Sequence, residues 1–201
     1  PQQFSEVAAD IADQVRPEQL FISIMAGVST ARIESALRGS STTAVRVVRV
    51  MQNLPVRVGA GIAGICPGAH ASPEAVSEAQ AILDAGGSSV VLDDEGLMDA
   101  VTAVSGSGPA YFYYFVENIV AGGVACGLSE ADALKLAEYT CLGAAKMMLE
   151  SGEPPAELRR KVTSKGGTTQ AALEHMEKMG VGAAIRDAVK AAFNRGRELG
   201  S

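Results

Sequence analysis

The sequence predicts an α/β layer followed by an all-α region, on three observations. Short apolar runs alternate with helical patterns before residue 95, every long segment after it reads as helix, and glycines and prolines punctuate the joints. The expected division is an α/β domain over residues 1–94 and a helical domain over 95–201.

In the first part, Ser5–Arg16 reads as helix and stops at Pro17, and Leu20–Ala26 (LFISIMA) reads as a buried strand by its unbroken apolar run. Gly27 breaks that strand, and Ser29 or Thr30 can cap a helix through about Leu37. Val45–Met51 alternates arginine with valine, the period-two signature of a strand with one wetter face. Val56–Ile65 reads as a further strand. Ser72-Pro73-Glu74 supplies a cap, a first-turn proline and an adjacent acid, so a helix opens there; Gly86-Gly87 ends it before the strand Ser89–Leu92.

In the second part, Leu97–Val104 leads into Ser105-Gly106-Ser107-Gly108-Pro109 and the aromatic segment Tyr111–Leu128. That segment is at the short limit of a membrane span and carries Glu117 and Asn118 near its middle. It reads instead as a helix buried on all sides, in a protein core or a subunit interface. Ser129-Glu130-Ala131-Asp132 has the form of a capping box and opens a helix to about Glu150, with Leu134, Ala137, Cys141, Ala144 and Met148 on one face. Pro154-Pro155 opens a short helix ending at Ser164-Lys165-Gly166-Gly167. Two more helices follow, from about Thr169 to Gly180 and from Ala183 to Leu199.

Composition narrows the function. The 201 residues carry 17 basic and 23 acidic side chains, a net charge of −6 with 47% apolar residues. This is a globular composition without the positive field that nucleic acid or an anionic membrane surface requires. Cys66, Cys126 and Cys141 are odd in number and lack CxxC spacing, which argues against a disulfide framework and for a reducing, cytoplasmic compartment. His70 and His175 lie far apart, so no metal site is expected.

Three glycine-rich motifs bear on chemistry. Gly59-Ala60-Gly61-Ile62-Ala63-Gly64 matches GxGxxG, but a phosphate loop needs a helix N-terminus behind it, and Cys66-Pro67-Gly68 intervenes. It therefore reads as strand and turn. Gly106-Ser107-Gly108-Pro109 is either a sharp turn between helices or a close approach of backbone to a ligand. Val162-Thr163-Ser164-Lys165-Gly166-Gly167-Thr168-Thr169 is either a plain loop with a threonine cap or a nest of inward amides that binds a carboxylate or phosphate.

In their order and separations, the strings from Ser105 to Tyr111 (SGSGPAY), Val162 to Thr169 (VTSKGGTT), Met25 to Ser29 (MAGVS) and Met51 to Pro55 (MQNLP) resemble the Δ1-pyrroline-5-carboxylate reductase family. The resemblance covers essentially the whole chain. It departs at Lys165 and Gln52, where family members usually or often carry proline. It implies a partial Rossmann-like sheet with a C-terminal helical dimerisation domain. The implied reaction is NADPH- or NADH-dependent reduction of a cyclic imino acid to L-proline. Ala26, Gly27, Val28 and Asn53 are then expected on the cofactor side, and Ser164, Gly166, Gly167 and Thr168 around the substrate carboxylate. Thr169 is the expected catalytic residue, its hydroxyl near the imine nitrogen. Pro1 aligns with a tripeptide that follows the family's GxGxxG loop, so the pyrophosphate and adenine-ribose sites are expected to lie outside this sequence. The resemblance also implies a homodimer, with a higher oligomer of dimers open. The alternative is a non-catalytic helical dimerisation module derived from such a reductase.

Overall fold

The computed structural model describes residues 1–39 and 44–200. In chain order the elements are α1 (Phe4–Ile11), β1 (Leu20–Ser23), α2 (Thr30–Arg38), β2 (Arg46–Gln52), a 3-10 turn (Leu54–Val58), β3 (Gly61–Pro67), α3 (Pro73–Asp84) and β4 (Gly87–Val91). There follow a 3-10 turn (Glu95–Leu97), α4 (Met98–Val101), a π-helical turn (Thr102–Gly106), α5 (Gly108–Ala125), α6 (Glu130–Ser151), α7 (Pro155–Lys161), α8 (Thr168–Lys178) and α9 (Val181–Gly200). Two compact units result, Pro1–Pro109 with Val189–Ser201, and Ala110–Ala188.

In the first unit the described strands form one mixed sheet in the order β1-β2-β3-β4. The outer pairs are parallel, β1 with β2 through α2 and β3 with β4 through α3, as short crossovers demand. The central pair is antiparallel, with Arg49 opposite Cys66 and Val50 opposite Ile65. Pleating divides the valines of β2. Val47 packs with Val28, Ile33 and Leu37 on the α1 and α2 side, while Val48 and Val50 pack with Ala63, Ile65 and Ala79 on the α3 side. Each fully buried valine contributes about 1.5–3 kcal/mol.

Two strand expectations need correction. β1 ends at Ser23 rather than Ala26, because the chain turns at Ala26-Gly27, where Gly27 adopts φ 73°. The expected strand Val56–Ile65 begins only at Gly61: the 3-10 turn Leu54–Val58, with Pro55 as its second residue, takes up the preceding segment, and Gly59, at φ 70°, ends it. The wetter face of β2 is also absent at Arg49, whose exposure is only 8%.

Of the GxGxxG glycines, Gly61 and Gly64 are packing residues and Gly59 is a turn residue. A methyl group on Gly61 would lie 2.7 Å from the Val56 Cα, and one on Gly64 would lie 2.6 Å from Val101 Cγ1. The turn before α5 likewise approaches the protein's own sheet: a methyl on Gly106 would meet Met51 Cε at 2.5 Å.

The second unit is built from small residues at its contacts. A methyl group on Gly123 of α5 would sit 3.2 Å from Ala133 Cβ of α6. Ser129 caps α6 as expected, accepting the Asp132 N–H at 3.1 Å. The expected apolar face of α6 is met at Ala137, which is buried with Ala133, and corrected elsewhere: Cys141 is half-buried, and Leu134, Ala144 and Met148 are exposed. α5 is not buried within the chain either; Phe112, Tyr113, Tyr114 and Phe115 are all exposed. Among the described residues no helix is long and apolar enough to cross a membrane.

Gly64→Ala is expected to lower stability by about 1–3 kcal/mol, because β3 or α4 must shift to admit the methyl group. Urea denaturation measures this; an unchanged midpoint would show that the contact relaxes freely.

Candidate functional site

The first constellation stands where β1 and β2 end. Ala26 is exposed, Gly27 half-buried and Val28 buried at 3% exposure. Carboxyl ends of parallel strands are where open α/β sheets receive ligands. The neighbouring start of α2 is already closed. Ser29 Oγ accepts the Arg32 N–H at 3.2 Å, and Thr30 donates its N–H to Glu95 Oε1 at 2.9 Å and its hydroxyl to Glu95 Oε2 at 2.7 Å. The Thr30 and Arg32 amides are thus satisfied internally. The turn instead presents a methyl group and bare backbone.

Glu95 also accepts from Arg49 Nη1 at 3.0 Å, an ion pair whose side chains are 10% and 24% exposed. Cys66 faces Arg49 across the β2–β3 pair. Its thiol is held above its ordinary pKa, first by burial and then by the Glu95 charge, with Arg49 pulling the other way. Sequence reasoning missed Glu95 and read Thr30 only as a candidate cap of α2. The available signal was Arg49 itself, since a charge inside an apolar strand needs a buried partner.

Asn53 has both ends of its amide engaged. Its Oδ1 accepts the Ile62 N–H at 3.0 Å, and its Nδ2 donates to the Ser105 carbonyl at 3.2 Å. It ties the end of β2 to the start of β3 and to the π-helical turn, and so acts on its surroundings through backbone.

The second constellation is the loop between α7 and α8. Thr163 ends α7 by donating its hydroxyl to the Arg159 carbonyl at 2.6 Å. Gly166 adopts φ 72°, a conformation that side chains oppose, and the Gly167 N–H closes a turn onto the Ser164 carbonyl at 3.0 Å. A methyl group on Gly167 would run into the Ser164 hydroxyl. The Gly166 N–H is accepted by Gln170 Oε1 at 2.7 Å. Two of the three amides expected to face a ligand are therefore used within the loop. Gly167 is the N-cap of α8 and offers no side-chain cap, so the leading amides of that helix stay open next to the hydroxyls of Ser164 and Thr169. An open helix N-terminus favours an anion by about 0.3–1 kcal/mol at an exposed site. The structure thus brings Ser164, Gly166, Gly167, Thr168 and Thr169 together on one loop and helix start. It separately gathers Ala26, Gly27 and Val28 at one turn.

Comparisons with known proteins extend this picture. A family model for pyrroline-5-carboxylate reductase dimerisation matches residues 95–199. The pyrroline-5-carboxylate reductase of Synechocystis sp. is 45% identical over 201 residues, covering 100% of this chain and 72% of the relative. That of Methanosarcina acetivorans is 43% identical over 200 residues, again covering 100% and 72%. Among solved structures, the pyrroline-5-carboxylate reductase of Coxiella burnetii superposes with a TM-score of 0.92 at 34% identity, covering 100% of this chain and 73% of the other. The Plasmodium falciparum pyrroline carboxylate reductase, solved with NADP bound, gives 0.87 at 29% identity, covering 100% and 79%.

Glu95→Ala is expected to destabilise the protein by about 2–4 kcal/mol, since it leaves Arg49 buried without its partner; the midpoint of urea unfolding checks this. Cys66 is expected to resist iodoacetamide at pH 8 until the protein is denatured. A raised thiol pKa means that the folded state holds the proton more tightly, so its contribution is complete at neutral pH and declines as pH climbs through the raised value. Rapid alkylation of Cys66 in the native protein would contradict that environment.

Proposed function

The chain belongs to the pyrroline-5-carboxylate reductase family, and from that premise we propose that it reduces Δ1-pyrroline-5-carboxylate to L-proline, with NADPH or NADH as hydride donor. The observation that carries this reading is similarity along the whole chain, at 45% identity in one relative. The glycine-turned Ser164–Thr169 loop supplies a site suited to a small carboxylic acid.

The residues at the end of β1 fit a flat ring. Ala26 and Gly27 offer only a methyl group and backbone, and the positive φ of Gly27 bends the chain away after them. Ala26, Gly27 and Val28 would hold the nicotinamide side of the cofactor, with Asn53 fixing the adjoining backbone through Ile62 and Ser105. When bound, reduced nicotinamide supplies a hydride to the imine carbon. The protein's own task is positioning. Ser164 and the amides at the start of α8 bind the substrate carboxylate, and Gly166 and Gly167 shape the turn that makes room for it. Thr169 places its hydroxyl at the imine nitrogen, where the product amine gains its proton.

The chain acts as a homodimer in this reading. The matched module is a dimerisation domain, and α5 exposes four consecutive aromatics, Phe112 to Phe115, that water solvates poorly. A functional division at residues 1–94 and 95–201 is supported by the start of that match at residue 95. The cysteine pattern supports a cytoplasmic setting, and the charge of −6 supports the absence of nucleic-acid and membrane partners. Larger assemblies of dimers are compatible with the remaining exposed apolar positions. The second reading, a dimerisation module without catalysis, rests on the same exposed α5 aromatics. NADPH titration separates the two: saturable binding by the full-length protein supports the reductase.

Thr169→Ala in the full-length protein is expected to lower kcat by about 10²-fold while leaving the dimer intact by sedimentation velocity. Equal loss of activity and dimer would make Thr169 a helix-capping residue. Sedimentation of the unsubstituted protein at micromolar concentration should show a dimer, and a folded monomer there would overturn the assembly proposal.

A further inference from the structure

We infer that Gln170 is a positioning residue for the substrate carboxylate, a brace that holds the Ser164–Gly167 loop in its binding shape while leaving the first amides of α8 open. This deepens the proposed reductase site and rests on that reading.

Gln170 is the third residue of α8 and reaches backwards over the loop. Its Oε1 accepts the Gly166 N–H at 2.7 Å, and its Nε2 donates to Glu174 Oε1 at 2.7 Å, one helical turn on. A glutamine at this position ordinarily forms half of a capping box, in which the N-cap side chain answers by accepting from the third residue. Here the N-cap is Gly167, which has no side chain, so the reciprocal bond is missing. The tie also reaches one residue further back than in a capping box. Its result is a loop anchored from one side with the helix amides left unoccupied.

The direction of the amide follows from chemistry. Gly166 N–H can only donate, and an ionised Glu174 can only accept. One orientation of the Gln170 amide satisfies both, and the reverse orientation satisfies neither. Glu174 thus locks the brace, and the brace locks a glycine at φ 72° that would otherwise sample many conformations. Immobilising the loop before the ligand arrives removes ordering entropy from binding, so the effect belongs in substrate affinity rather than in the chemical step.

The test uses the full-length protein with three variants: Gln170→Met, which keeps the length and removes both bonds; Glu174→Met, which removes only the lock; and Ser164→Ala, a direct contact of the proposed site. The brace predicts that Gln170→Met raises the KM for pyrroline-5-carboxylate about three- to tenfold with kcat within twofold, and that Glu174→Met raises it less. It also predicts that the Gly166 amide exchanges faster with solvent in the ligand-free Gln170→Met protein, while amides in the middle of α8 do not. A raised KM in Ser164→Ala together with an unchanged KM in Gln170→Met overturns the brace and leaves the site standing. Unchanged KM in both removes the loop from substrate binding altogether. A fall in kcat alone for Gln170→Met also refutes the proposal.

Discussion

The Arg49 guanidinium sits in the middle of an apolar strand at 8% exposure, and Glu95 is what makes that position tenable. The same carboxylate receives both the N–H and the hydroxyl of Thr30, so one side chain fixes the strand β2, the start of α2 and the turn that follows β4. Removing a charge from water costs several kcal/mol, and bonds from two partners offset it. The placement of the Ala26–Val28 turn follows, because that turn is the short connection into a helix whose first residue is held. Cys66 feels the same cluster, and burial with a neighbouring carboxylate keeps its thiol neutral.

Much of this was legible in the sequence where local rules act alone. Ser72-Pro73 and Ser129 start their helices as read, and glycines end or bend the chain where a positive φ is needed. The misreadings occur where distant residues decide. Val56–Val58 has strand-like composition, yet Pro55 and the Asn53 bond to Ile62 draw it into a turn. Arg49 alternates as a surface residue would, and only Glu95, 46 residues on, buries it. The apolar stripe read on α6 holds at Ala137 alone: the chain buries Ala137 with Ala133 and leaves Leu134, Ala144 and Met148 outside.

The candidate loop was legible in part. Two glycines flanked by hydroxyls announce a tight bend, and the structure puts Ser164 through Thr169 on one bend and helix start. Periodicity could not reveal that Gln170 takes up the Gly166 amide, because that bond depends on the helix beginning at Thr168. A helix that starts on a glycine N-cap rather than serine or threonine forgoes roughly a few tenths of a kcal/mol of stability. A ligand that supplies the missing acceptors recovers it on binding, which is how a structural deficit becomes affinity.

The double duty of Asn53 bears on chemical ageing. Hydrolysis of that side-chain amide, in which water adds and ammonia leaves, would put a carboxylate oxygen where Nδ2 now donates to the Ser105 carbonyl at 3.2 Å. A donor facing an acceptor would become two acceptors facing each other, one of them charged. The π-helical turn at Thr102–Gly106 would then be pushed from its seat without any break in the polypeptide, a lesion invisible to electrophoresis by size and displayed as a gain of one negative charge.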